Sequence, residues 1–97
     1  MRSLRLMADY QCFPLWEASP GLVGNVDPAT LPLSADLRAD LLAWAAAFDA
    51  TLDLDDPARS GFTEAASRAR FRLEGESLGQ RLREELGPGW PVILDLD

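Results

Sequence analysis

The sequence predicts an α+β (or α/β) protein, with a small two- to three-stranded sheet from the chain termini packed against a two-helix hairpin. Three observations carry the prediction. Apolar residues recur at helical spacing in two long central stretches, 34–57 and 63–86. Short strand-like runs stand near both ends, LRLMADY at 4–10 and VIL at 92–94. The 97 residues, 47% of them apolar, suffice for one core and leave no room for a second, so 1–97 is read as a single domain.

The elements follow in chain order. LRLMADY alternates loosely and reads as a first strand. Residues 11–33 carry Pro14, Pro20, Gly21, Gly24, Pro28 and Pro32, which argue against long regular structure. The same segment holds Cys12, Phe13, Leu15, Trp16, Leu22 and Val26, so it reads as an ordered loop lying on the core, with a short strand within 22–26. Ser34 opens the first helix as its N-cap, and Asp36 stands in the first turn, where the helix dipole favours acid. Leu37, Leu41, Trp44, Ala45, Phe48 and Leu52 form its buried stripe. The expected stop is Asp55-Asp56-Pro57, because the residue before a proline avoids helical backbone. Thr63 is the expected N-cap of a second helix ending at Leu86, with Ala66, Ala69 or Arg70, Phe71, Leu78, Leu82 and Leu86 inward. Gly75 falls on that inward side and marks a close helix–helix approach or a kink. Gly87 ends the helix, and the terminal strands then pair side by side under the hairpin. Two strands alone are marginal in water, so this packing is needed.

Charge is uneven along the chain. Sixteen acids oppose nine bases, all Arg, for a net −7. Residues 34–57 alone hold six Asp and one Arg, so five of the seven net negative charges lie there. Such a body repels nucleic acid and anionic membrane surfaces and favours a basic protein partner. Asp49, Asp53 and Asp56 share one face if the helix persists to Asp56, with Asp55 close by. Acids at a helix C-terminus oppose the dipole, which points either to a useful site or to a helix that stops earlier. A solvated acidic surface is the plain alternative. Tyr10 and Trp16, in the aromatic loop with Cys12 and Phe13, are the candidate apolar anchors beside core packing. The second helix reads as a solvated face laced with Arg–Glu pairs.

Catalytic chemistry has little support. The chain has no His, which removes His-dependent triads and histidine metal sites. Cys12 is the one cysteine, without His or Lys to activate it. Counting from Asp53, a calcium loop would need Gly at the sixth position and has Ala58 there. No metal site and no cofactor are expected. No signal segment and no apolar run of about 20 residues are present, so a cytoplasmic protein is expected.

The stretches ADYQCFPLW, GNVDPATLPLS, LLAW and DLDDPARSGF, with the later EELG-x-x-W, resemble a recurring type of small acidic bacterial protein. That type is similar to the immunity proteins of toxin–immunity systems, including contact-dependent growth inhibition. The resemblance implies a protein that binds a cognate toxin domain and blocks its active site. It supplies no catalytic residues. With no catalytic set the chain reads as non-enzymatic, and its concentrated acid suits the basic cleft of a toxin nuclease. Two other readings are a module that homodimerises through its aromatic loop and a small carboxylate-based metal-binding domain or enzyme.

Overall fold

The computed structural model describes residues 2–21, 24–56 and 60–96. Strand β1 (Leu4–Leu6) is followed by β2 (Leu15–Glu17), β3 (Asn25–Val26) and a 3-10 turn at Pro28–Thr30. Helices α1 (Ala35–Asp49) and α2 (Ala65–Leu86) come next, and β4 (Val92–Leu94) closes the order. The sheet is mixed, in the order β3-β2-β1-β4. β1 pairs antiparallel with β2 and parallel with β4, and β2 pairs antiparallel with β3. The α+β expectation holds, and the chain-end strands pair as expected. The sheet has four strands because the Pro/Gly-rich segment contributes two. Of the expected 22–26 strand, Leu22 and Val23 lie outside the described residues.

Register decides which side chains enter the core. Leu6 stands opposite Leu15 and Leu94, and Leu4 opposite Val92. Leu4, Leu6, Leu15 and Val92 are buried and form the sheet's inner face. The alternate row, Trp16–Arg5–Ile93, therefore points away from the helices. Trp16 is consequently only half-buried and Phe13 is 39% exposed, so the loop feeds the core through Leu15, Pro14, Val26, Leu31 and Leu33 rather than through its aromatics.

Local chemistry explains the helix ends. Ser34 caps α1, its hydroxyl accepting from the Leu37 N–H at 3.1 Å. The same Ser34 donates from its N–H and its hydroxyl to the two carboxylate oxygens of Glu85 on α2, at 2.6 and 2.8 Å. α1 stops at Asp49, well before Asp55, without any proline. Thr51 ends it: both its N–H and its hydroxyl donate to the Phe48 carbonyl, at 3.0 and 2.7 Å. The expected stop residue Pro57 lies outside the described residues. α2 begins at Ala65 with Glu64, not Thr63, at its N-cap position, and Glu64 makes no side-chain capping bond. Ala66, Ala69 and Arg70 are exposed, against expectation. The reason is length. At about 1.5 Å per residue, α2 outruns α1 by roughly 10 Å, so its first turns overhang the core.

The helices meet at Trp44 and Phe71. Their rings stack with centroids 4.4 Å apart and planes 6° apart. The Trp44 indole N–H donates to the Phe71 carbonyl at 2.9 Å, which satisfies a buried donor. Gly75 makes room. A Cβ there would stand 2.8 Å from both Trp44 Cζ2 and Leu96 Cδ2. Gly79 likewise admits the Leu94 side chain of β4. Gly75 thus serves close approach.

Two predictions follow from this packing. Gly75→Ala gains about 1 kcal/mol of helix propensity. It loses more to overpacking against a Trp44 ring that its hydrogen bond holds in place, which costs about 1–3 kcal/mol. A net loss of stability, read as a lower urea midpoint, is expected, and a higher midpoint would show that the rings yield freely. Glu85 is held below its ordinary value of about 4.5, first by the Ser34 N–H, then by the Ser34 hydroxyl, with Arg81 and Arg38 adding to it. A carboxyl lowered on folding stabilises the protein above its unfolded value and loses that contribution as pH falls through the folded one. The Tm gap between the parent and Glu85→Gln should be widest near neutrality and close as pH drops below about 4.5. A gap that is constant across pH 3–7 would contradict this.

Candidate functional site

The acidic end forms where the β1–β2 turn meets the C-terminus of α1. Gln11 adopts a left-handed backbone conformation, φ 60°, uncommon for a residue with a side chain. Its N–H is turned onto the Asp49 carboxylate, Oδ1 accepting at 2.9 Å. Next to it, Tyr10 stacks on Phe48 with centroids 4.5 Å apart. Its hydroxyl lies 2.9 Å from Thr51 Oγ1. The Tyr10 ring thus extends an aromatic cluster running through Phe48, Phe71 and Phe62.

Asp53 lies just past this junction and organises the next turn. Its Oδ1 accepts from the N–H groups of Asp55 and Asp56, both at 3.0 Å, and its own N–H donates to the Ser60 hydroxyl at 2.8 Å. Because α1 ends at Asp49, the Asp49, Asp53 and Asp56 side chains do not share a helical face. They sit instead on a helix end and a tight turn, with Asp55 and Asp56 exposed. The structure therefore brings Tyr10 and Asp49 together where the β1–β2 turn meets α1, and leaves Asp53 to organise the following turn. Trp16 is set apart on the outer face of the sheet, its indole N–H donating to the Met7 carbonyl at 3.0 Å.

Most of the arginines face partners of their own. Arg81 on α2 reaches Asp40 on α1 at 2.7 Å, Arg72 meets Glu76 at 3.6 Å and Arg5 meets Asp95 at 3.5 Å. Arg2 pairs with Glu17 and lies over the Trp90 ring, 5.3 Å from its centroid. Arg38 and Arg83 bond the carbonyls of Leu31 and Val92. Bonds cross the helix pair: Ser34 donates to Glu85 and Arg81 donates to Asp40, while Arg81 still acts on Glu85 through its charge. Among the described residues, no group of three or more His, Cys, Asp and Glu is gathered to hold a metal ion. No helix among them is long and apolar enough to cross a membrane.

Beside the acidic end lies an open groove of about 330 Å³ between the β1–β2 turn and α1. Half-buried Cys12, Phe13, Leu42 and Ala46 give it apolar walls, and Asp49 stands at its rim. Leu42 is 46% exposed and lies off the buried stripe of α1. That off-stripe position was readable from the periodicity. The contribution of Gln11 was not, because nothing local marks it for positive φ.

Fold and charge together define a small α+β protein with a concentrated acidic end built on a rigid turn. The family model described as Serratia CdiI immunity protein-like matches residues 2–95, and the chain belongs to that family. No curated protein matches the chain.

The junction yields its own test. Asp49→Ala removes the acceptor for the Gln11 N–H, a bond worth about 1 kcal/mol, so that amide should exchange with solvent roughly fivefold faster. Asp49→Asn keeps an oxygen acceptor and should preserve most of the protection. Equal exchange in all three proteins would show that the bond does not hold the turn.

Proposed function

We propose that this chain is a non-enzymatic, cytoplasmic immunity protein that binds a cognate bacterial toxin domain and blocks it. The match to the Serratia CdiI immunity protein-like family over residues 2–95 is the observation that carries this reading. The charge distribution supports the choice of surface. A toxin that acts on nucleic acid must hold a polyanion and so presents a basic cleft. A protein whose acids are concentrated at one end competes for such a cleft, and complementary charge speeds the encounter.

The contact proposed here uses Asp49, Asp53, Asp55 and Asp56 for charge. Tyr10 is the aromatic neighbour of those acids, and Trp16 joins where the partner wraps over the β1–β2 turn onto the outer sheet face. Asp49 and Asp53 each engage Oδ1 inside the protein, which fixes the carboxylate without removing its charge.

The probe is a toxin domain in a catalytically disabled form, sought first in the reading frame next to the one that encodes this chain. Replacing all four Asp by Asn keeps the internal acceptors and removes four charges. Association with the toxin domain should slow at least tenfold at low salt, and its dependence on ionic strength should flatten, as followed by stopped-flow fluorescence. Unchanged association kinetics would reject the surface assignment. Failure of the unmodified chain to bind the toxin domain or to protect cells from its active form would reject the immunity reading.

A further inference from the structure

The groove between the β1–β2 turn and α1 is built more rigidly than an incidental surface furrow. The Asn25 side chain serves as a substitute strand for Phe13: its Oδ1 accepts from the Phe13 N–H at 2.7 Å, and its Nδ2 donates to the Phe13 and Leu15 carbonyls at 2.6 and 2.9 Å. On the other side of Cys12, the Gln11 N–H is fastened to Asp49. Both ends of the Gln11–Phe13 segment are thus tied down, and Phe13 is presented at 39% exposure facing the same groove as Leu42 at 46%. Fixing an exposed apolar side chain by polar bonds to its backbone lowers the ordering cost of binding.

The electrostatics of the groove point one way. Among the described residues, Asp49 is its one charged lining residue. The nearest cation along α1, Arg38, stands one turn before Leu42, but its guanidinium is directed to the Leu31 carbonyl at 2.6 Å. An apolar cleft rimmed by a carboxylate and beside the Asp53–Asp56 turn suits a segment that offers an apolar side chain next to a cation.

We propose that this groove is the anchoring pocket for the toxin: a basic segment of the partner inserts an apolar side chain between Phe13 and Leu42 and sets a Lys or Arg against Asp49. The proposal rests on the immunity reading above and goes beyond it, since it moves the apolar anchor from Trp16 and Tyr10 to Phe13 and Leu42. Interface energy concentrates where an apolar anchor is shielded from water, with charges at the rim steering approach.

The test uses the same disabled toxin domain as the probe, with calorimetry for affinity and maleimide labelling of Cys12 for occupancy. Leu42→Arg and Phe13→Ser alter exposed side chains, and circular dichroism confirms that each variant folds. Each should weaken toxin binding at least tenfold, whereas Leu73→Arg, the same kind of change on an exposed position of α2, should leave it within twofold. Labelling of Cys12 should slow at least tenfold in the complex. Parental affinity in both groove variants, an equal loss in Leu73→Arg, or an unprotected Cys12 in a complex that does form would overturn the groove and leave the immunity reading standing. No binding by the unmodified chain would remove both. A dimer of the unmodified chain that Leu42→Arg converts to monomers on sedimentation would assign the groove to a second copy and overturn the toxin assignment.

Discussion

The stacked pair of Trp44 and Phe71 holds the architecture together. It joins the two helices by ring contact and by a hydrogen bond into the backbone of α2, so neither helix can slide along the other without breaking a buried polar bond. The choice of glycine at positions 75 and 79 depends on it. With the helices this close to each other and to the sheet, side chains from Trp44, Leu94 and Leu96 occupy the space where a Cβ would stand. The overhang of α2 depends on it too, since the stack fixes which part of the longer helix lies against α1.

The acidic end is a consequence of the same frame. Once Trp44 is seated, α1 delivers Phe48, Asp49 and Thr51 to the β1–β2 turn, where each finds a partner in the Tyr10–Gln11 pair or in the helix terminus itself. Asp49 and Asp53 therefore hold the backbone with one carboxylate oxygen each. Placing acid at a helix C-terminus opposes the helix dipole. The bond to the Gln11 N–H offsets part of that cost, and the remaining repulsion sits where a basic partner would relieve it.

Features governed by neighbouring residues could be read from the sequence. Ser34 as a cap, Gly87 as a stop, the stripe of α1 from Leu37 to Phe48 (though not Leu52, which lies past the helix end) and the strand at 92–94 all depend on a few positions in a row. Features governed by pairing across the chain could not. The facing of Leu15 inward and Trp16 outward is decided by a register with Leu6, and the alternation of β2 would fit either choice. The end of α1 at Asp49 reflects Thr51 turning back on Phe48 and meeting Tyr10, which the proline at 57 concealed by offering an obvious stop. The acids were visible as a cluster, but their arrangement on a turn rather than along a helix face required the loop geometry that Asp53 creates. The apolar groove was half visible, since Leu42 stood outside the helical stripe while its companion Phe13 looked like core.

The parallel pairing of β1 with β4 has a consequence for how the molecule comes into being. Leu4 meets Val92, so β1 is completed only by β4, a strand far along the sequence. At roughly 5–20 residues per second of synthesis, β1 waits several seconds for its neighbour. Closing so long a loop carries an entropic cost that only the finished sheet and helix contacts repay. A chain terminated before Val92 would keep a bare strand edge at β1, the kind of edge on which polypeptides aggregate. Assembly is thus biased toward all or nothing.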